Sequence, residues 1–377
     1  MKIKNKKVFA LLTLVFIFVF CYNYSKGQID PKPAKGKSIQ IAILLDTSNS
    51  MDGLIDQAKS QLWNIVNELA KATCDNTKPD LKIALYEYGN SALSSSSGYI
   101  KLVTPLTNDL DQISADLFSL KTYGGLEYCG QVIQSALKEL QWTNSKNDYH
   151  VIFIAGNEPF TQGEVNFRSS CTDAKSHGVI VNTIFCGNFD EGVSTFWKEG
   201  ALITGGQYLS IEQDRRTVYV ESPYDDDIMK LNNQLNETYI YYGKTGKDKK
   251  TFQSVQDANA FTYGKSNAVL RTISKSTYVY SNSTWDLVDA SKEKSFDVSQ
   301  IKTEHLPAEM QTMNNLQQIQ YIQKKAAERK HIVEQIQQLN TKRKTYIQQK
   351  TKSNKGMLDN AILESVKQQA ISKQFVF

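Results

Sequence analysis

Asp46, Ser48 and Ser50 stand at alternate positions directly after the apolar run Ile41-Ala42-Ile43-Leu44-Leu45. One carboxylate and two hydroxyls at this spacing are the hard oxygen donors that magnesium or manganese takes in a near-octahedral shell. Serine hydroxyls also close turns and cap helices, a simpler use of the same residues. The surrounding elements decide where these groups stand. The apolar run reads as a strand buried on both faces, as parallel sheets require. After it, Leu54, Ile55, Ala58, Leu62, Ile65, Val66, Leu69 and Ala70 recur at helical spacing across Leu54 to Lys71. The Asp-x-Ser-x-Ser segment is therefore expected in a loop at the carboxyl end of a strand, where open α/β sheets bind ligands.

Strand and helix signals continue to alternate downstream. Leu81 to Tyr88, His150 to Ala155, Val179 to Phe185 and Gln207 to Ile211 read as strands, and Tyr99 to Val103 as an edge strand ended by Pro105. Leu110 to Leu120, Gln131 to Leu140, Val165 to Ser176, Val193 to Leu202 and Asp226 to Tyr239 read as helices. Short connections between alternating elements predict an α/β domain over residues 38–242, with a doubly wound, mostly parallel sheet flanked by helices. That length is enough to bury a core of its own.

At these residues the chain resembles the von Willebrand factor type A (vWA) family in its exported bacterial form, whose metal-dependent adhesion site opens with Asp-x-Ser-x-Ser. The resemblance covers about residues 38 to 240, and it implies two further loops. The second family loop supplies a threonine after a glycine pair; here Gly124-Gly125 is followed by Leu126, and Glu127 is the nearest oxygen donor. A carboxylate at a helix start is also stabilised simply by the helix dipole. The third loop supplies an aspartate, and Gly156 stands in its place, leaving Asn157 or Glu158 to act through a water. The resemblance thus implies a partly conventional site of Asp46, Ser48, Ser50, Glu127 and Asn157. It would hold Mg2+ or Mn2+ weakly and be completed by an exposed Asp or Glu of a protein partner.

Lys2, Lys4, Lys6 and Lys7 precede an apolar run from Val8 to Tyr22 and the small residues Ser25 and Gly27. That order is a secretory signal peptide over residues 1–27, followed by a lead-in at 28–37. The run is about fifteen residues, short of the ~20 that span a bilayer, so no span is expected after cleavage. An uncleaved anchor is the alternative. Phe20 before Cys21 argues against lipidation. The five lysines of residues 1–27 account for the whole net charge of +5, so the remaining chain is near neutral. Its basic clusters, such as Lys342-Arg343-Lys344, fall on a glutamine-rich helix and do not indicate nucleic acid. Cys74, Cys129, Cys171 and Cys186 remain, and an exported protein with four cysteines is expected to pair them at least in part, with buried free thiols as the alternative. His150, His177, His305 and His331 are scattered, which argues against zinc.

Beyond the domain, Lys244 to Lys250 reads as a charged linker, and residues 243–305 mix short apolar runs with serines without a clear assignment. Residues 306–377 read as helical, with one long helix from Pro307 to about Gln349. Ile322, Ala326, Val333, Ile336 and Ile347 fit a heptad seam that Arg329, Asn340 and Arg343 interrupt. Self-association through these helices and folding back on Met357 to Gln374 are equal alternatives. Asp225-Asp226-Asp227 reads as first-turn charge on a helix. No Walker A, HExxH, GxSxG or CxxC pattern is present. The expected function is metal-dependent protein binding by an exported, envelope-associated protein. A metal-independent scaffold assembled by its C-terminal helices is the second reading, and a hydrolase with dispersed residues the third.

Overall fold

The first strand, β1 (Ser38–Asp46), is buried on both faces, and the alternation of its side chains between them sets the layers. Ile39, Ile41 and Leu45 enter one apolar cluster and Ala42 and Leu44 the other, because successive strand side chains point to opposite faces. The computed structural model describes residues 37–51, 63–211, 219–351 and 357–377. The expected signal peptide, the lead-in and the start of the helix after Ser50 lie outside the described residues. Lys37 to Phe377 form one compact unit.

In chain order β1 is followed by α1 (residues 63–69), β2 (Asp80–Tyr88), β3 (Ile100–Thr107), α2 (Leu110–Ser119), α3 (Cys129–Glu139), β4 (Tyr149–Gly156), α4 (Phe167–Ser176) and β5 (Val179–Phe185). Then come α5 (Phe189–Ser194), α6 (Trp197–Thr204), β6 (Tyr208–Ser210), α7 (Asp225–Asn236), α8 (Gly246–Thr262) and α9 (Lys265–Lys275). The remainder is α10 (Leu287–Ala290), α11 (Ala308–Gln311), α12 (Asn315–Thr351) and α13 (Met357–Ser372). The sheet has the order β3-β2-β1-β4-β5-β6, parallel throughout except for β3 against β2. It is the doubly wound α/β sheet expected. One face is covered by α3, α4 and α6, the other by α1, α2, α7, α9, α12 and α13. β1 lies centrally, so its carboxyl end is flanked by the ends of β2 and β4. The register sets Asp46 opposite Tyr88 and Leu45 opposite Ala155.

Several local expectations change. Pro105 lies inside β3 and does not end it; a proline is tolerated because β3 is an edge strand with no ladder partner on its outer side. The single helix expected from Val193 to Leu202 is two, α5 and α6, separated by Phe196 with φ of 73°. Lys244 to Lys250 is not a linker, since α8 begins at Gly246. The expected disulfides are absent: Cys74, Cys129, Cys171 and Cys186 are all free and buried. They occupy different elements, and Cys129 and Cys171 pack as small apolar groups beneath the sheet.

The heptad seam of α12 is spent within the chain. Ile322 and Ile336 are buried, and Ala326 and Val333 pack against the same apolar clusters. The polar interruptions are buried as well. Arg329 donates to Asp286 at 2.6 Å and to the Thr238 carbonyl at 2.8 Å, with its guanidinium 4.0 Å from the Tyr239 ring centroid. Arg343 donates to Asp225 at 2.9 Å. Asp225, expected as helix-end charge, is fully buried and also accepts from the Ser222 backbone N–H. The helix thus docks on α7, α9 and α10.

Removing Arg329 leaves the Asp286 carboxylate buried without its cation, while Asp289 keeps Lys292. Arg329→Ala is expected to cost about 3–5 kcal/mol in urea unfolding. Lys324→Ala, on the exposed side of α12, is expected to stay within ~0.5 kcal/mol. Equal effects would mean that α12 does not dock.

Candidate metal centre

Where β1 ends, Asp46 folds its side chain over the following turn. Its Oδ1 accepts the Ser48 N–H at 2.7 Å and its Oδ2 accepts the Ser48 hydroxyl at 3.1 Å. The Ser48 and Ser50 hydroxyls are 2.7 Å apart, and Ser50 donates to Asn157 Oδ1 at 2.9 Å. Asn157 follows directly on β4, so the first and third loops meet through this pair. Glu127 enters from the loop before α3, and its carboxyl shares hydrogen bonds with Asp46 and Ser48. Its Oε2 accepts the Glu158 N–H at 3.3 Å. The structure thus brings Asp46, Ser48, Ser50, Glu127 and Asn157 to one place. Glu158 contributes its backbone to the cluster.

A second layer, not anticipated from the sequence, holds these loops. Thr47 donates to Glu87 Oε1 at 3.0 Å, and Asn90 donates to the same oxygen at 2.8 Å and to the Lys121 carbonyl at 3.0 Å. The Tyr123 N–H donates to the Thr47 carbonyl at 2.9 Å, fastening the second loop to the first. Gln162 accepts the Glu127 N–H. Gly89 has φ of +73°, and a Cβ there would stand 2.5 Å from Asp46 Oδ1 and 2.8 Å from Glu127 Cγ. Only glycine permits both the backbone conformation and the approach of the two carboxylates.

Gly156, in place of the family aspartate, has a steric cause. A Cβ there would lie 2.5 Å from Tyr88 Oη, 3.0 Å from the Trp197 ring and 3.2 Å from Asp46 Cβ. Tyr88 is the last residue of β2, passes under Asp46 and donates to the Ala155 carbonyl at 2.9 Å. The third-loop ligand position is thus filled by a tyrosine from the neighbouring strand, and the site has an uncharged floor of Tyr88, Cys129 and Trp197. Burial pushes the Cys129 thiol well up, which leaves it an inert neutral group.

Asp46 is 0% exposed and Glu127 2% exposed, and among the described residues neither is ion-paired with a lysine, arginine or histidine. Burial, and then the neighbouring Glu127, push the Asp46 carboxyl well above the usual range; burial also raises Glu127. Two buried carboxylates in contact cannot both stay ionised unaided. They need a shared proton or a cation. Neutral oxygens of Ser48, Ser50 and Asn157 beside them complete a donor set suited to a small hard divalent ion. The residues present fit such an ion, although the described residues hold no cluster of three or more His, Cys, Asp or Glu side chains for a metal. The fit rests on two carboxylates and three neutral oxygens.

The raised carboxyls make the metal-free protein bind protons more tightly folded than unfolded. Its stability is therefore expected to fall as pH rises above about 4, the ordinary carboxylate range. Glu127→Gln, which removes the like charge, is expected to raise metal-free stability at neutral pH and flatten that decline in pH-dependent denaturation. Separately, Gly156→Ala is expected to cost about 1–3 kcal/mol by overpacking. Adding Tyr88→Phe removes the nearest clashing atom, so the double variant is expected to lose less than the sum of the singles.

The family model of the von Willebrand factor type A domain matches residues 41–158, which run from β1 through all three loops of the site. No curated protein matches the chain. Solved structures resemble about half of it. The SpRpn10 VWA domain has a TM-score of 0.37 and 17% identity, over 48% of this chain and 90% of that one. The conserved hypothetical protein BatB from Bacteroides thetaiotaomicron has a TM-score of 0.34 and 18% identity, over 46% of this chain and 91% of that one. Proximal thread matrix protein 1 from the mussel byssus, with a zinc-occupied MIDAS motif, has a TM-score of 0.35 and 11% identity, over 48% of this chain and 43% of that one. With the Asp-x-Ser-x-Ser loop at the carboxyl end of its central strand and the family match spanning that loop, this chain carries a von Willebrand factor type A domain.

Proposed function

We propose that this protein is an exported binding module that contacts a protein partner through a divalent cation held by Asp46, Ser48, Ser50 and Glu127, with Asn157 acting through a water. The observation that carries this reading is the meeting of the Asp46 and Glu127 carboxylates, buried and without a protein cation among the described residues, beside the exposed Ser50. A divalent ion would neutralise the pair, and an exposed Asp or Glu of the partner would supply the remaining ligand. When bound, magnesium or manganese supplies an electrophilic contact point. Asp46 and Glu127 hold the charge, Ser48 and Ser50 orient the first loop, and Tyr88 closes the side where the third-loop aspartate would stand. vWA domains act in protein–protein interaction, which supports binding rather than catalysis.

The order of charged, apolar and small residues at the start of the sequence supports export. No described helix is long and apolar enough to cross a membrane. The scaffold reading has less support, because the α12 seam on which it depends is packed against this chain's own helices.

The test is calorimetric titration of magnesium and manganese into the wild type, Asp46→Ala and Glu127→Gln. Capture of partners from the native envelope, with and without chelator, follows. Wild type is expected to take up one ion and Asp46→Ala none, with capture lost on chelation. Glu127→Gln is expected to weaken uptake by more than the ~0.3–1 kcal/mol of an exposed helix-end charge. Absence of uptake in the wild type, with capture that survives chelation and Asp46→Ala, would put the scaffold reading in place of this one.

A further inference from the structure

Glu127 lies in a segment, residues 121–128, without regular secondary structure, which links the end of α2 to the start of α3. One end of that segment leaves α2 directly, and α2 is gripped at both ends by the part of the chain beyond the vWA domain. At its start, Lys249 of α8 donates to the capping residue Asp109 at 3.0 Å, and Arg271 of α9 donates to Asp111 at 2.6 Å. Tyr280 donates to the other oxygen of Asp111 at 2.7 Å. At its end, the Tyr263 ring stacks on Phe118 with centroids 4.4 Å apart and planes 18° apart. The Tyr263 hydroxyl donates to the Phe118 carbonyl at 3.1 Å, one residue before α2 closes.

A helix of this length moves as a rigid body, so holding both ends fixes where the chain leaves it. The segment that follows has its own ties: the Tyr123 N–H to Thr47 of the first loop, and the Lys121 and Gly124 carbonyls to Asn90 and Ser91 just beyond β2. The position of Glu127 is thus over-determined from two sides: by the first loop, and by residues 246–280 acting through α2. A magnesium-sized ion demands near-ideal octahedral geometry, which makes its affinity sensitive to small displacements of one carboxylate.

We propose that residues 246–280 are a positioning frame for the second metal loop, with Tyr263 as the positioning residue at the end of α2. The frame sets the place of Glu127 and, through it, the affinity for the cation. This inference rests on the metal reading only for its effect on affinity; its effect on the loop stands apart from it. It also gives the extension a role within the binding site, as the element whose displacement would loosen the centre.

The experiment compares full-length wild type with Tyr263→Ala, which removes stack and hydroxyl, and Tyr263→Phe, which keeps the ring. Tyr263 is 42% exposed, so both variants are expected to fold. Amide hydrogen exchange of the metal-free proteins is followed by mass spectrometry. Residues 121–127 are expected to exchange about tenfold faster in Tyr263→Ala, with β1 and β4 unchanged and Tyr263→Phe intermediate. Titration with magnesium and manganese is expected to show Kd raised about three- to tenfold in Tyr263→Ala, of the order of the loss of one hydrogen bond and one ring pair. Unchanged exchange at 121–127 in Tyr263→Ala overturns the frame, whatever the metal data show. Faster exchange there in Tyr263→Ala, with a wild type that takes up neither ion, supports the frame and removes the metal reading. Faster exchange with an unaltered Kd in a protein that does bind metal overturns the link to affinity.

Discussion

Two carboxylates, Asp46 at the end of β1 and Glu127 before α3, are buried in contact with each other, and the top of the sheet is arranged around that contact. Isolated, the pair is unfavourable, since each carboxylate loses water and gains a like charge. The fold maintains it through several constraints. Gly89 removes the side chain that would separate the two groups. Thr47, Glu87 and Asn90 pin the first loop and the start of the second in one hydrogen-bonded cluster. Buried like charge of this kind, gathered at the carboxyl end of a central parallel strand, is the feature on which the proposed cation site rests.

The third loop departs from the family pattern for a reason that lies in the neighbouring strand. Tyr88 and Trp197 occupy the space in which an aspartate at position 156 would stand. The buried carboxylates are thereby confined to the first and second loops, and the third brings the side-chain amide of Asn157 to the cluster. The proposed centre would depend more heavily on the placing of Glu127 than one with a third carboxylate in reserve. The grip of α8 and α9 on α2 acts on that same placing. The extension beyond the vWA domain is joined to it by buried ion pairs, Arg271 with Asp111 and Arg343 with Asp225. Buried pairs of this kind add little net stability but penalise any arrangement that separates the partners, which favours one fixed docking of the two parts.

The alternation of strands and helices, the parallel sheet and the loop carrying Asp46, Ser48 and Ser50 were all legible in the order of residues. Each depends on periodicity within a window of about a dozen residues, and burial on both faces of β1 leaves only one reading of Ile41 to Leu45. Glu127 and Asn157 entered through the family resemblance, which marked the glycine pair and the end of the His150 to Ala155 strand as the second and third loops. The rest was decided by contacts between residues distant in sequence. That Tyr88 fills the place of the lost aspartate follows from the pairing of β2 with β1, and nothing near Gly156 in the chain announces it. The free state of the four cysteines likewise depends on which elements lie side by side. The heptad pattern of α12 states that one face is apolar without naming what covers it. Arg329 and Arg343, which break that seam, reveal their role only when Asp286 and Asp225 arrive from other helices. Periodicity is a property of one segment and can be read from it; a contact is a property of two, and which two meet is settled by the packing of the whole chain.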